Sequence, residues 1–251
     1  MNETKFDGMG ELYSQYRPCY PKSFIEYLFD NVNISKGSAI ADIGSGTGIL
    51  TKQLLENGCK VYGVEPNDDM RTVAEQDLQE FAGFTSIKGS AESTTLADRS
   101  VDFITVAQAF HWFDRQSFRK ECKRILKPNG QVILVWNSRD DRSALVLEND
   151  QINRKYCPEF KGFSGGIRGA VSEDDYNDFF SGGYLEKVFN NDLIFDLNGF
   201  IGRNLSASYA LKKDDENYSS YVAELKALFE KHSNNKQVLM PNFTRCYTGR
   251  V

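Results

Sequence analysis

Ala39-Ile40-Ala41-Asp42-Ile43-Gly44-Ser45-Gly46-Thr47-Gly48 is the stretch on which the fold turns. An apolar run ends in a glycine-rich turn, and a helical pattern follows at once; this is a strand running into a cradle for a nucleotide-like ligand. Glycine admits positive φ and lets the backbone approach a ligand, while the first amides of the following helix supply donors.

The surrounding chain repeats the same alternation. Strands are expected at 39–43, 60–65, 85–88, 101–106 and 131–136. Between them, 49–57 puts Leu50, Leu54 and Leu55 on one helical face, 68–81 is introduced by Pro66, and 116–126 buries Phe118, Cys122 and Ile125. That order predicts an α/β fold, with a parallel sheet carrying helices on its faces. Lys127-Pro128-Asn129-Gly130 is a turn that feeds the fifth strand.

Further out the pattern loosens. Pro21 begins a helix with Phe24, Ile25, Leu28 and Phe29 on its inner side. From 140 to 183, where Gly162, Gly165, Gly166 and Gly169 fall, loops between short helices are expected as an insertion or lid. A last helix carries Tyr218, Tyr221, Val222, Leu225, Leu228 and Phe229, and 237–247 reads as a terminal strand interrupted by Pro241. The aromatic residues Phe179, Phe180, Phe189, Phe195 and Phe200 read as the core of a cap. The expected organisation is one domain over 1–251, with a core at 38–137, a cap and late helices at about 138–235 and a terminal strand at 236–251.

A chain of 251 residues that is 40% hydrophobic can build one such core with a modest cap. The net charge of -5 disfavours nucleic acid and anionic membrane surfaces as partners. Five cysteines with no C-x-x-C spacing argue against a disulfide framework and against a metal site. No apolar run approaches a membrane span, which places the protein in the cytoplasm, as a monomer or homodimer.

Two acidic residues point to the ligand. Glu65, at the end of the second strand, is placed to accept from ribose hydroxyls. Asp42, just before the first glycine, would repel a pyrophosphate but suits S-adenosylmethionine, which carries a cationic amine and a sulfonium. The spacing G-x-G-x-G also differs from the dinucleotide fingerprint G-x-G-x-x-G. Two other readings are an NAD(P)-dependent oxidoreductase and a cofactor-binding protein without turnover.

The segment Asp42 to Gly48, with Glu65-Pro66, Gly89-Ser90-Ala91-Glu92, Ser100-Val101-Asp102 and Leu126 to Gly130, resembles the successive motifs of class I S-adenosylmethionine-dependent methyltransferases. Tyr16-Arg17-Pro18, Tyr20-Pro21 and Phe110 to Asp114 resemble the small-molecule branch that includes trans-aconitate methyltransferase. The resemblance implies a Rossmann-like, seven-stranded, mostly parallel sheet with a helical cap after the fifth strand. It also implies the cofactor S-adenosylmethionine, released as S-adenosylhomocysteine, and a small-molecule substrate, with a carboxylic acid as one candidate.

The roles it implies are these. Asp42 with Gly44, Ser45, Gly46 and Gly48 holds the methionyl moiety, which Tyr16 and Arg17 approach. Glu65 takes the ribose, Pro66 and Met70 the adenine face, Ser90, Ala91 and Glu92 the adenine edge, and Gln108 the amino group through its carbonyl. Ser90 stands where many relatives have Asp, so Glu92 is also a candidate to serve the surrounding loop. His111 is the candidate general base, set against a packing role beside Trp112. A carboxylate substrate needs no base, and Arg17, Arg139 and Arg168 then become candidate anchors. Trp112, Trp136, Arg139, Ser208 and Tyr209 complete the candidate substrate contacts.

Overall fold

The computed structural model describes residues 17–163 and 171–251. The strand that enters the cradle is β1 (Ala39–Ile43), buried at every position after its first. It pairs in parallel with β2 (Lys60–Val64) and with β4 (Val101–Ala107). Outside these lie β3 (Phe84–Ile87) and β5 (Leu126–Arg139), again parallel. The last strand, β9 (Asn242–Gly249), runs antiparallel between β5 and β6 (Tyr184–Asn190), which gives a seven-stranded sheet in the order 3-2-1-4-5-9-6.

Side chains alternate across a strand, so each face of this sheet needs its own cover. On one face Ile40, Val61, Phe103, Ile133 and Val135 pack under α1 (Lys22–Asp30), α2 (Ile49–Glu56) and α3 (Asp68–Leu78). On the other, Ala41, Ile43, Ile104, Val106 and Leu134 pack under α4 (Arg115–Ile125) and α6 (Glu173–Phe179). A third core stands apart from both. It joins α5 (Ala144–Tyr156), α7 (Leu197–Leu205) and α8 (Tyr218–His232) to a two-stranded ribbon of β7 (Leu193–Phe195) and β8 (Val238–Met240).

The sheet and its helices match the expected fold, with ends shifted by a few residues. The turn at Lys127 to Gly130 lies inside β5 as a bulge: Val101 pairs with Leu126 but Phe103 pairs with Gln131. Four expectations are corrected. The terminal strand is two strands in two sheets, parted at Pro241, whose missing amide cannot continue a ladder. Residues 140–183 contain a thirteen-residue helix, α5; its buried face is Leu145, Val146, Asn149 and Asn153, and the two asparagines hide the apolar period. β6 was not expected, because an edge strand with most side chains exposed carries no alternating signal. Phe179 and Phe180 belong to the sheet layer under α4, and Phe189 packs edge-on to Phe24, so only Phe195 and Phe200 join the cap core.

Among the described residues no helix is long and apolar enough to cross a membrane.

Candidate active site

Parallel strands bring their carboxyl ends to one edge, where β1, β2, β4 and β5 converge on the glycine turn. Gly44, Gly46 and Gly48 all have positive φ, at 68°, 56° and 82°. They do different work. A Cβ on Gly44 would fall 2.7 Å from Cβ of Ala109, and one on Gly48 would fall 2.7 Å from Cδ1 of Leu78. Among the described residues nothing lies within 4 Å of the corresponding position on Gly46, so this glycine borders open space there.

The loop is tied to the end of β2. Gly44 and Ser45 donate their amides to the carbonyl of Val64 at 2.8 and 3.2 Å, and Gly46 donates to Oε2 of Glu65 at 2.9 Å. The other oxygen of Glu65 accepts from the amide of Asn67 at 2.9 Å. The amides of Gly44, Ser45 and Gly46 are therefore already engaged within the protein. Burial raises the Glu65 pKa, with its two amide donors opposing the rise.

Asp42 shares the sheet face of Ile40 and points at α2. Its oxygens accept from the hydroxyls of Thr51 at 2.6 Å and Thr105 at 2.8 Å, and it is 1% exposed. It thus braces β1, α2 and β4 beneath the cradle. Burial pushes its carboxyl up to about 6 against the hydrogen bonds from Thr51 and Thr105. Thr51 and Thr105 escaped the sequence reading, although a threonine inside the apolar run Val101 to Ala107 was a usable signal.

The remaining cofactor candidates gather around this loop. Asn67 caps α3 by accepting from the amide of Met70, which is buried, while Pro66 is half-buried. Ser90 and Ser93 exchange backbone hydrogen bonds around buried Ala91. Glu92 accepts from the amide of Asp114 at 3.0 Å and so serves the entry to α4. Gln108 sits at φ 60° and donates Nε2 to the carbonyl of Asn137 at 3.1 Å, which makes Oε1 its acceptor end. Thr47 is buried, and its hydroxyl has no hydrogen-bond partner among the described residues.

On the substrate side, His111 lies half-buried in the turn Phe110–Trp112, its ring centroid 4.6 Å from that of Trp112. Trp112 is exposed at the surface. Trp136 is 4% exposed and packs edge-on to Phe110, Tyr176 and Tyr247, which makes it core rather than an open pocket wall. Arg17 donates to the carbonyl of Ser206 at 3.0 Å and so links the segment before α1 to the cap. Tyr16 and Arg168 lie outside the described residues.

Arg139 ends β5 and reaches into the cap. It is 8% exposed, donates Nε to the sulfur of Met240 at 3.2 Å and lies 3.9 Å from the centroid of the Phe163 ring. Burial lowers its pKa; the Tyr209 hydroxyl counters this, while Arg17 adds to it. Its Nη2 has no hydrogen-bond partner among the described residues. Tyr209 packs edge-on to Phe160, and Ser208 beside it is half-buried. Asn137 is a junction that sequence reading left unassigned: its side chain donates to Pro18 and Cys19 and accepts from Asn191 and Thr244.

Residues 41–134 match the methyltransferase domain family. An uncharacterized methyltransferase of Geobacillus sp. (strain WCH70) is 30% identical over 148 residues, covering 55% of this chain and 68% of that protein. One from Mycobacterium tuberculosis is 38% identical over 140 residues, covering 56% of this chain and 55% of its own length. The chain thus spans about half the length of that relative and of others like it. A solved structure of a candidate type II methyltransferase from Anaeromyxobacter dehalogenans superposes with a TM-score of 0.69 at 21% identity, covering 94% of this chain and 98% of that one. That likeness bears on the fold alone.

Proposed function

Since the chain belongs to the S-adenosylmethionine-dependent methyltransferase family, we propose that it transfers a methyl group to a small molecule bearing a carboxylate. One observation carries the first half of this reading: the glycine turn, braced by Asp42 and Glu65, leaves open space at Gly46 beside the unpartnered hydroxyl of Thr47. Those groups fit a phosphate-free, cationic nucleoside. Gly46 and Thr47 would lie along the methionyl end, Glu65 along the ribose, and Met70 and Ala91 along the adenine. S-adenosylmethionine supplies a methyl group already activated by its sulfonium. The protein's work is to align the acceptor and exclude water, for which orientation is worth on the order of 7 to 11 kcal/mol.

Arg139 supports the acid substrate. A buried guanidinium whose Nη2 has no partner among the described residues calls for an anion, and a carboxylate matches its fork. Such a substrate is already ionised at neutral pH, so His111 shapes the pocket and need not take a proton. The finer likeness to the trans-aconitate methyltransferase branch belongs to this proposal. So do a single domain over the chain, a cytoplasmic setting, a monomer or homodimer, and no nucleic-acid or membrane partner, the last supported by the net charge of -5.

The test is calorimetric titration with S-adenosylmethionine, S-adenosylhomocysteine and NAD, followed by a labelled-methyl assay over small carboxylic acids. Binding of the two adenosyl sulfur compounds and labelling of an acid are expected. Binding of NAD alone, or labelling of neutral acceptors only, would overturn the reading. A flat pH profile retained in His111→Ala would remove the base role.

A further inference from the structure

The cap core beside Arg139 contains buried polar groups that the described residues do not satisfy. Asn149 and Asn153 are both 0% exposed, one turn apart on the inner face of α5. Neither the nitrogen nor the oxygen of the Asn149 side chain has a hydrogen-bond partner among the described residues, and Nδ2 of Asn153 has none either. Oδ1 of Asn153 accepts from the hydroxyl of Tyr221 at 2.7 Å. Tyr221, itself 0% exposed on α8, lies in the same cap core as Met240, whose sulfur accepts from Nε of Arg139. The anchor cation and the Asn153–Tyr221 pair thus border one buried core.

Each unsatisfied amide atom in such a place costs about 1–3 kcal/mol unless something outside the fold completes it. Two asparagines on one helical face, where Leu145 and Val146 show that apolar residues fit, are poor choices for packing. They suit a ligand group that both donates and accepts.

We propose that Asn149, Asn153 and Tyr221 form a second, neutral polar subsite, which takes a hydroxyl or carboxamide group of the acid whose carboxylate lies on Arg139. This rests on the proposed function and narrows its substrate class: plain alkyl acids leave the amides unpaired, and apolar acceptors leave the arginine unpaired as well. Buried water satisfies such amides in many proteins, and the experiment separates the two cases.

The full chain saturated with S-adenosylhomocysteine is titrated with short straight-chain acids in matched sets that end in methyl, hydroxyl or carboxamide. The wild type is expected to bind the hydroxyl and carboxamide members about tenfold or more tighter than the methyl member. Asn153→Leu is expected to erase that preference while holding the methyl member and S-adenosylhomocysteine as before. Tyr221→Phe, which removes only a hydroxyl, is expected to weaken the preference in a chain that keeps its fold. The subsite is overturned if the wild type shows no preference, if it binds none of the acids, or if the preference survives both variants, as it would with water filling the cap. Failure to bind S-adenosylhomocysteine appears in the first titration and strikes the proposed function instead.

Discussion

The two buried acids of the sheet and the buried polar side chains around Arg139 in the cap are treated in opposite ways. In the sheet, Asp42 has both oxygens filled by Thr51 and Thr105, and Glu65 has both filled by the amides of Gly46 and Asn67. In the cap, Arg139, Asn149 and Asn153 each keep at least one atom without a partner among the described residues. A cradle for a fixed cofactor can be completed by the protein itself and held rigid. A pocket that selects a substrate leaves its last hydrogen bonds for the ligand to make.

The contrast breaks most visibly in the glycine turn. Gly44→Ala combines a positive φ with a Cβ only 2.7 Å from Cβ of Ala109, and urea unfolding is expected to show a loss of roughly 3 kcal/mol. Gly46→Ala has the same backbone penalty but open space, so about 1 kcal/mol is expected, together with loss of S-adenosylmethionine binding in the calorimeter. Equal destabilisation by the two would mean that the turn is purely structural.

Asp42 gives the sheet a pH signature. Its carboxyl is raised to about 6 in the folded chain from 3.8, so the native state binds the proton more tightly than the unfolded one. Its contribution therefore favours the fold at low pH and is lost as pH rises from about 4 to 6, by roughly 2–3 kcal/mol in all. Asp42→Asn is expected to flatten that part of the stability profile and to weaken cofactor binding. An unchanged profile would show that the carboxyl titrates normally.

The cap should answer differently. Arg139→Met is expected to lower acid affinity by about 30-fold or more while leaving stability equal to the wild type or higher, because a buried cation with no carboxylate partner among the described residues is removed. A large loss of stability would mean that the arginine is structural, like Asp42. The smallest effect is expected at the seam. Asn191 donates to the carbonyl of Cys19 at 3.2 Å and to Oδ1 of Asn137 at 3.1 Å, and Asn191→Ala is expected to cost about 1 kcal/mol in the same unfolding assay.

The sequence by itself determined the glycine turn, the five parallel strands and the helices between them. Local rules are enough there: apolar runs make buried strands, period-3.6 faces make covers, and glycine marks positive φ. It also singled out Asp42, Glu65 and Arg139 as candidate site residues. Only the tertiary structure decided which way they face. Asp42 turned out to brace the sheet because alternation along β1 points it at α2 rather than at the mouth. Pro241 parts one apolar run between two sheets, because which strand a segment joins depends on partners distant in sequence. The helix α5 stayed hidden because its buried face is half asparagine, a pattern that makes sense only once the hydrogen bond from Tyr221 on α8 is seen.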